Sequence, residues 1–274
     1  MKIRHSLFAV LALAASPAFA FDMPPPVEAP EYTGTISDVG GWYIRGDLGY
    51  NATLDPGKPS WSDYKKRTGS YDNMTFDTAR LDGDFNLSAG AGYQFNDYLR
   101  SDLTLDYFKA SFEGTSSRNS PCSNGQPGTK CRFSHTDNMA ALGLLANAYV
   151  DLGTYWGLTP YLGAGAGMTN IDWKGMTTAK RCVGSGCDRS RKYVDEETPG
   201  AESWRFTYAF MAGISYDVAA HTKLDFGYRY ARIASGDMSN YGDNSQRAGA
   251  RNPRGKDDGF GRHEFRAGLR LTTW

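Results

Sequence analysis

Between Ser88 and Phe108 the chain reads SAGAGYQFNDYLRSDLTLDYF, and every second residue belongs to one chemical set. Ala89, Ala91, Tyr93 and Phe95 are apolar, while Ser88, Gly90, Gly92 and Gln94 are small or polar. After Asn96-Asp97 the alternation resumes, with Leu99, Leu103, Leu105 and Tyr107 against Arg100, Asp102, Thr104 and Asp106. A period of two puts successive side chains on opposite faces, as a strand does and a helix does not. The spacing predicts two strands joined by a very short turn.

The same period recurs along the chain. Trp42, Ile44, Leu48 and Tyr50 alternate with Tyr43, Arg45, Asp47 and Gly49. Strands are predicted over Asp84–Phe95, Tyr98–Phe112, Thr136–Val150, Thr159–Ile171, Ser203–Val218, Thr222–Ile233 and Gly261–Trp274. With the first segment that makes eight. Their connections run long, short, long, short, long, short, long. The long ones are Asn51–Gly83 and Ala234–Gly259, both polar, and Glu113–His135 and Asp172–Glu202, which hold the two Cys pairs. An even set of antiparallel strands with short turns at one end and long loops at the other is the pattern of a transmembrane β-barrel. The expected fold is therefore all-β: an eight-stranded antiparallel transmembrane β-barrel with short periplasmic turns and long extracellular loops. Residues 41–274 would form it.

Composition agrees with this. Aromatic residues make up 14% of the chain and Gly numbers 32, yet no apolar run reaches the eighteen or so residues of a spanning helix. Lys plus Arg and Asp plus Glu are equal at 30 each, so no strong field calls for nucleic acid. At the N-terminus, Lys2, Arg4 and His5 precede an apolar stretch, Leu7 to Ala15, and Ala18-Phe19-Ala20 is a small-residue cleavage pattern. Residues 1–20 read as a secretory signal peptide. Removing Lys2 and Arg4 leaves 28 basic against 30 acidic residues. Residues 21–40, with DMPPPVEAPEYTG, read as a Pro-rich leader. Export brings the four Cys into an oxidising compartment. Two local disulfides are expected, Cys122 with Cys131 and Cys182 with Cys187, although four Cys allow three connectivities. The spacings match no zinc motif.

In lipid the barrel must turn its apolar face outward and its polar face inward. The inward set is Arg45, Asp47, Arg100, Asp102, Asp106, Arg205, Asp217, Lys223, Asp225, Arg229, Glu264, Arg266 and Arg270. Both signs are present, and eight strands leave a lumen that side chains just fill. Unpaired buried charge is costly, so these groups should pair and plug it. An aromatic belt at the headgroup level is expected from Trp42, Tyr50, Tyr93, Phe95, Tyr107, Trp204, Phe206, Tyr228 and Tyr230. GAGAGM (Gly163–Met168) lies inside a strand with no helix after it, so it is no phosphate loop. Its glycines should make room for long Arg side chains across the lumen. Asp102 and Asp106 read as partners of inward Arg, and not as an acid/base pair. His263 and Glu264, as strand neighbours, face opposite ways and form no dyad. No Gly-x-Ser-x-Gly elbow occurs. No enzymatic activity, cofactor or metal is expected.

The stretches GWYIRGDLGY, GYQFNDYLRSDLTLDY, LANAYVDLGTYWGLTPYLGAGAGM, SWRFTYAFMAGISYDV, KLDFGYRY and HEFRAGLRLTTW resemble the small outer-membrane β-barrels of alphaproteobacteria. That group includes the Omp25/Omp31-type and RopB-type surface antigens of the OmpA-like barrel superfamily. The resemblance covers the whole mature chain except the loops. It implies a cell outer-membrane location and roles in envelope integrity and surface exposure, and it supplies no catalytic residues. The implied partners are outer-membrane lipid and lipopolysaccharide, the barrel-assembly machinery and an extracellular partner reached through the loops, with no nucleic acid. One departure concerns the last strand. Phe265, Leu269 and Leu271 are outward, which puts Thr273 in phase and leaves Trp274 one residue out of phase as a sorting signal. No peptidoglycan-binding domain is expected after the eighth strand. Two other readings remain at this point: a narrow channel for small solutes or ions, and a soluble secreted binding barrel of the lipocalin type.

Overall fold

The computed structural model describes residues 40–83, 85–122, 126–188, 193 and 195–273. The signal peptide, the leader up to residue 39 and Trp274 lie outside the described residues. In chain order the strands are β1 (Gly41–Asp55), β2 (Ser60–Lys65), β3 (Ser70–Thr75), β4 (Thr78–Asp82), β5 (Phe85–Gln94), β6 (Leu99–Arg118), β7 (Lys130–Asp151) and β8 (Leu158–Trp173). They continue as β9 (Gly175–Val183), β10 (Glu196–Pro199), β11 (Glu202–Ala219), β12 (Thr222–Ile233), β13 (Gly236–Ser239), β14 (Gly255–Asp257) and β15 (Phe260–Thr272). A short helix, α1 (Asp243–Arg247), precedes β14.

Eight of these strands close on themselves. The ring runs β1-β5-β6-β7-β8-β11-β12-β15 and back to β1, every pair antiparallel. Closure satisfies the backbone of each strand without a free edge, which lipid requires. The short turns are set locally. In the β5–β6 turn the Asn96 side-chain Oδ1 accepts hydrogen bonds from the backbone N–H of Tyr98 (2.9 Å) and Leu99 (2.8 Å). This is the mimicry that makes Asn a turn residue.

The long connections are not plain loops. The ladder between β6 and β7 continues from Leu99↔Val150 to Arg118↔Cys131, far beyond the Phe112 and Thr136 limits expected from the pattern. Strand β4 prolongs the line of β5 against β6, and β9 pairs with the distal part of β7. A second sheet, β13-β14-β2-β3, joins residues from the first and last long connections. The disulfides Cys122–Cys131 and Cys182–Cys187 lie in the same distal region, and they are the two local pairs.

Face parity holds along each stave, but its chemistry changes. On β6 the outward residues Leu99, Leu103, Leu105 and Tyr107 are exposed and apolar, and the buried ones are Arg100, Asp102, Thr104 and Asp106. Beyond Tyr107 the outward residues become Lys109, Ser111 and Glu113, while Phe108, Ala110 and Phe112 turn inward. The barrel thus has a lipid-facing half near the short turns and a distal half with an ordinary apolar interior. That interior includes Leu54, Leu81, Phe108, Phe112, Met139, Ile171, Trp173, Ile233, Met238 and Phe260.

Candidate functional site: the charged interior and the distal cap

Strand β7 reads the barrel axis from one end to the other. Its inward side chains run Asp151, Tyr149, Asn147, Leu145, Ala141, Met139, Asp137, His135, Phe133 and Cys131. The first three belong to a polar layer, Leu145 packs in a small group with Ala209 and Ala231, Ala141 and Met139 join the apolar cluster, and the last belong to the cap.

The polar layer is a web of ion pairs. Arg45 grips Asp47 with Nη2 (2.6 Å) and Nε (3.0 Å), and its Nη1 reaches Asp102 (3.1 Å). Asp102 also accepts from Tyr43 Oη (3.1 Å) and Asn147 Nδ2 (2.7 Å). Arg229 spans Asp106 and Glu264, both at 2.9 Å. Glu264 further meets Arg262 (3.0 Å) and Arg266 (3.0 Å). Arg266 lies 3.4 Å from Asp47, which ties the two groups together. Nearer the short turns, Arg100 pairs with Asp151 (3.1 Å), its guanidinium 4.1 Å from the Tyr149 ring centre and 4.8 Å from that of Tyr161. Arg270 pairs with Asp225 (3.1 Å) and donates to Ser215 Oγ (2.8 Å). Among the described residues this layer holds six Arg (45, 100, 229, 262, 266, 270) and six carboxylates (47, 102, 106, 151, 225, 264). It is therefore charge-balanced. Arg262 also lies 4.1 Å over the Phe108 ring, where the polar layer meets the apolar one.

The remaining members of the inward set sit elsewhere. Asp217 and Lys223 form a half-buried pair (2.5 Å) at the β11–β12 turn. Arg205 pairs with Asp257 of β14 (2.6 Å) in the distal half, so it braces the second sheet against the wall. Asp151, Arg262 and Asp257 are partners absent from the sequence-derived set. Asp151 reads as the start of a turn but is the last residue of β7. Arg262 has the inward parity of Glu264, which is the signal that finds it.

The glycines of GAGAGM have a different neighbour from the one expected. A Cβ on Gly163 would lie 2.5 Å from the Tyr149 ring, and one on Gly165 would overlap the Asn147 amide. They make room for side chains of the adjacent strand β7, whose register pairs Tyr149 with Gly163 and Asn147 with Gly165. The Arg residues across the lumen are not what they accommodate.

Of the belt residues, Trp42, Tyr50, Phe95, Tyr107, Trp204, Phe206 and Tyr228 are exposed, and Tyr93 and Tyr230 are half-buried. Trp42, Tyr93 and Phe95 cluster near the short turns, with ring centres 5.3 Å apart in each successive pair. Tyr228, Tyr230 and His263 gather on the outer wall toward the distal end. His263 faces outward and Glu264 inward.

In the distal half, His135 is buried between Ser116 Oγ (2.9 Å) and Thr178 Oγ1 (3.0 Å). Burial, aided by the Arg254 charge, pushes its pKa down to about 4. One turn of the pleat away, burial pushes Asp137 up to about 6, although its Oδ1 accepts from the backbone N–H of Asn138 (2.7 Å) and Gly175 (3.0 Å). No cluster suited to a metal ion occurs among the described residues.

A closed ring with an apolar outer band and a polar interior defines an integral barrel of the outer membrane. A family model for the outer membrane protein beta-barrel domain matches residues 6–269, and the chain belongs to that family. Two relatives, uncharacterized proteins of Brucella abortus (strain 2308) and Brucella suis biovar 1 (strain 1330), are each 38% identical over 247 residues. The match covers 85% of this chain and 84% of each relative. Among solved structures, Neisserial surface protein A is 19% identical with a TM-score of 0.41, over 84% of this chain and 96% of that one. OprG from Pseudomonas aeruginosa is 16% identical, also with a TM-score of 0.41, over 85% and 95%. The protein resides in the outer membrane, in contact with its lipid and lipopolysaccharide. That location removes the soluble secreted barrel.

Proposed function

We propose that the protein is a closed barrel with a structural and surface-interaction role, and that its working surface is the distal, extracellular cap. Residues 1–20 would direct export, and residues 21–40 would form a Pro-rich N-terminal leader. The barrel-assembly machinery would insert the ring, and an extracellular partner would meet the cap. No step of this role is catalytic.

The observation that carries the reading is the balanced layer of six Arg and six carboxylates, bridged by Arg266 and backed by the apolar cluster above it. A neutral, interlocked interior offers no selectivity for either sign of ion, and moving one member would strand its partner in a buried site. One observation favours the runner-up, a narrow channel. Arg100 Nη1 and Nη2, Arg270 Nε and Nη1, and Arg262 Nε and Nη1 are buried without a hydrogen-bond partner among the described residues. Such donors are ordinarily satisfied by water, and a continuous file of water would conduct.

Planar-bilayer conductance of the refolded chain separates the two, once a heat-dependent gel shift confirms the barrel. A silent bilayer is expected. Steady discrete steps would install the channel and make Arg100 and Asp102 the first sites for charge exchange.

A further inference from the structure

Where β2 of the second sheet meets the distal ends of β6, β7, β9 and β10, the cap encloses a cavity of about 120 Å³. Its floor is apolar: Trp61, Phe133 and the Cys122–Cys131 disulfide. Its rim is charged, and the charges are unequal. Among the described residues, Arg118, Lys180 and Arg254 face two carboxylates, Asp63 and Glu196.

The donors outnumber the acceptors as well. Glu196 spends one oxygen on Arg254 Nη1 (2.8 Å) and the other on Lys180 Nζ (3.0 Å). Asp63 uses Oδ2 on Arg118 Nη2 (2.9 Å). Among the described residues, Lys180 has three hydrogens and gives one to Glu196, Arg118 gives its Nε–H to Met74 Sδ (3.3 Å) and one Nη2–H to Asp63, and both guanidiniums keep further N–H groups beyond these pairings. Arg254 cannot swing out to meet water freely. Its side chain is about nine-tenths buried, and its guanidinium lies 5.5 Å from the Trp61 ring. Arg118 lies 5.6 Å from the same ring. Two cations are thus held against one indole, which fixes their position as a stacked guanidinium requires.

We propose that this cavity binds an acidic sugar, a single ring carrying a carboxylate or a phosphate. The guest's oxyanion would take the uncommitted N–H groups of Arg118, Arg254 and Lys180. Its hydroxyls would meet Thr178 and the free oxygen of Asp63, and its C–H face would rest on Phe133. The space suits one such group with a few waters, and a guanidinium fork matches a planar or tetrahedral oxyanion bidentately. The proposal rests on the surface-interaction reading and supplies it with a ligand class.

The test uses the whole refolded chain in detergent micelles, with folding checked by heat-dependent gel mobility. Glucuronate, glucose 6-phosphate and neutral glucose are titrated by calorimetry. Both acidic sugars are expected to bind and to compete with each other, with glucose at least about tenfold weaker. Lys180→Gln and Arg118→Gln should each weaken binding about tenfold. Arg80→Gln, on the exposed outer wall and paired only with Asp82 among the described residues, should leave it unchanged. Four results would overturn the proposal: no heat up to about 10 mM sugar, equal affinity for glucose, full affinity in the Lys180→Gln chain, or tighter binding of a tetraglutamate peptide than of either acidic sugar. The same preparation goes onto the bilayer. Silence there with no binding removes the pocket alone, whereas conductance removes the reading beneath it.

Discussion

The two halves of strand β6 carry opposite chemistry on the same faces. From Leu99 to Tyr107 the exposed side is apolar and the buried side is Arg, Asp and Thr. From Phe108 to Phe112 the buried side is aromatic and aliphatic, and the exposed side is Lys and Ser. No bulge intervenes in the β6–β7 ladder. The backbone is indifferent to the change, so the solvent on each side must account for it. Hydrocarbon rewards apolar side chains outside and leaves the interior to pairs of charge. Water reverses the preference and recovers the usual core of a soluble barrel. The crossing at Tyr107/Phe108 marks the outer edge of the lipid on this stave.

Breaking the charged half should produce the largest effect. Glu264→Ala leaves Arg229, Arg262 and Arg266 with one carboxylate fewer. A loss of about 3–5 kcal/mol is expected, read as a lowered urea midpoint in lipid vesicles and a lost heat-dependent gel shift. Phe112→Ala, in the distal core beside Trp173 (ring centres 6.1 Å apart), should cost about as much, ~3–5 kcal/mol. Its damage should be confined: the cap becomes protease-sensitive while the gel shift persists. Global loss of the shift would mean that the two halves are one cooperative unit.

A paired substitution on a single face sharpens the contrast. Leu105→Arg puts a charge against lipid and should cost about 2–4 kcal/mol. Ser111→Arg, three alternations along the same face, should change the unfolding free energy in vesicles by no more than about 0.5 kcal/mol. Equal costs at both positions would erase the boundary drawn at Tyr107.

The smallest effect is on pH and concerns only the distal half. His135, with its pKa depressed to about 4, contributes stability that is complete above about 6.5 and is lost as pH falls toward 4. Asp137, raised to about 6, has the opposite sign: the cap gains stability as pH falls from about 6 toward 3.8, because only the folded form takes up the proton there. The two nearly cancel in the native chain. Asp137→Asn should make the cap acid-labile between pH 6.5 and 4, and His135→Gln should make it firmer over the same range. Limited proteolysis at pH 7 and 4.5 reads both, and identical digestion of the two variants would refute the assignment.

The lipid-facing half was legible because its alternation has high contrast. Leu103 beside Asp102, or Phe226 beside Asp225, announces both the strand and its faces. The distal half lacks that contrast. Glu113, Gly114, Thr115, Ser116 and Ser117 are all small or polar, yet they continue the ladder against β7. Backbone pairing needs no apolar face, so the pattern reads as loop. The distal core is assembled from Leu54, Leu81, Met238 and Phe260, each in a different segment, and no local window shows them together. Most interior charges follow from parity where they lie within a strand, although Arg262, which shares the parity of Glu264, is absent from the sequence-derived set. Asp151 was missed because it stands at a strand end, and Asp257 because its short strand forms only against other segments of the cap. For GAGAGM the residue type was informative and the neighbour was not, since register decides which side chain covers a glycine.

The extension of β6 from Phe108 to Arg118 has a consequence for reach. Eleven residues at about 3.3 Å each, inclined by about 40°, lift the acidic-sugar cavity roughly 25–30 Å above the acyl chains. A protein flush with the bilayer would sit in the steric shadow of neighbouring glycolipid sugars. This one carries its own pedestal, stiffened by a continuous ladder and an internal core. Shortening β6 and β7 in step, register kept, would lower the cap into that layer without altering a single residue of the cavity.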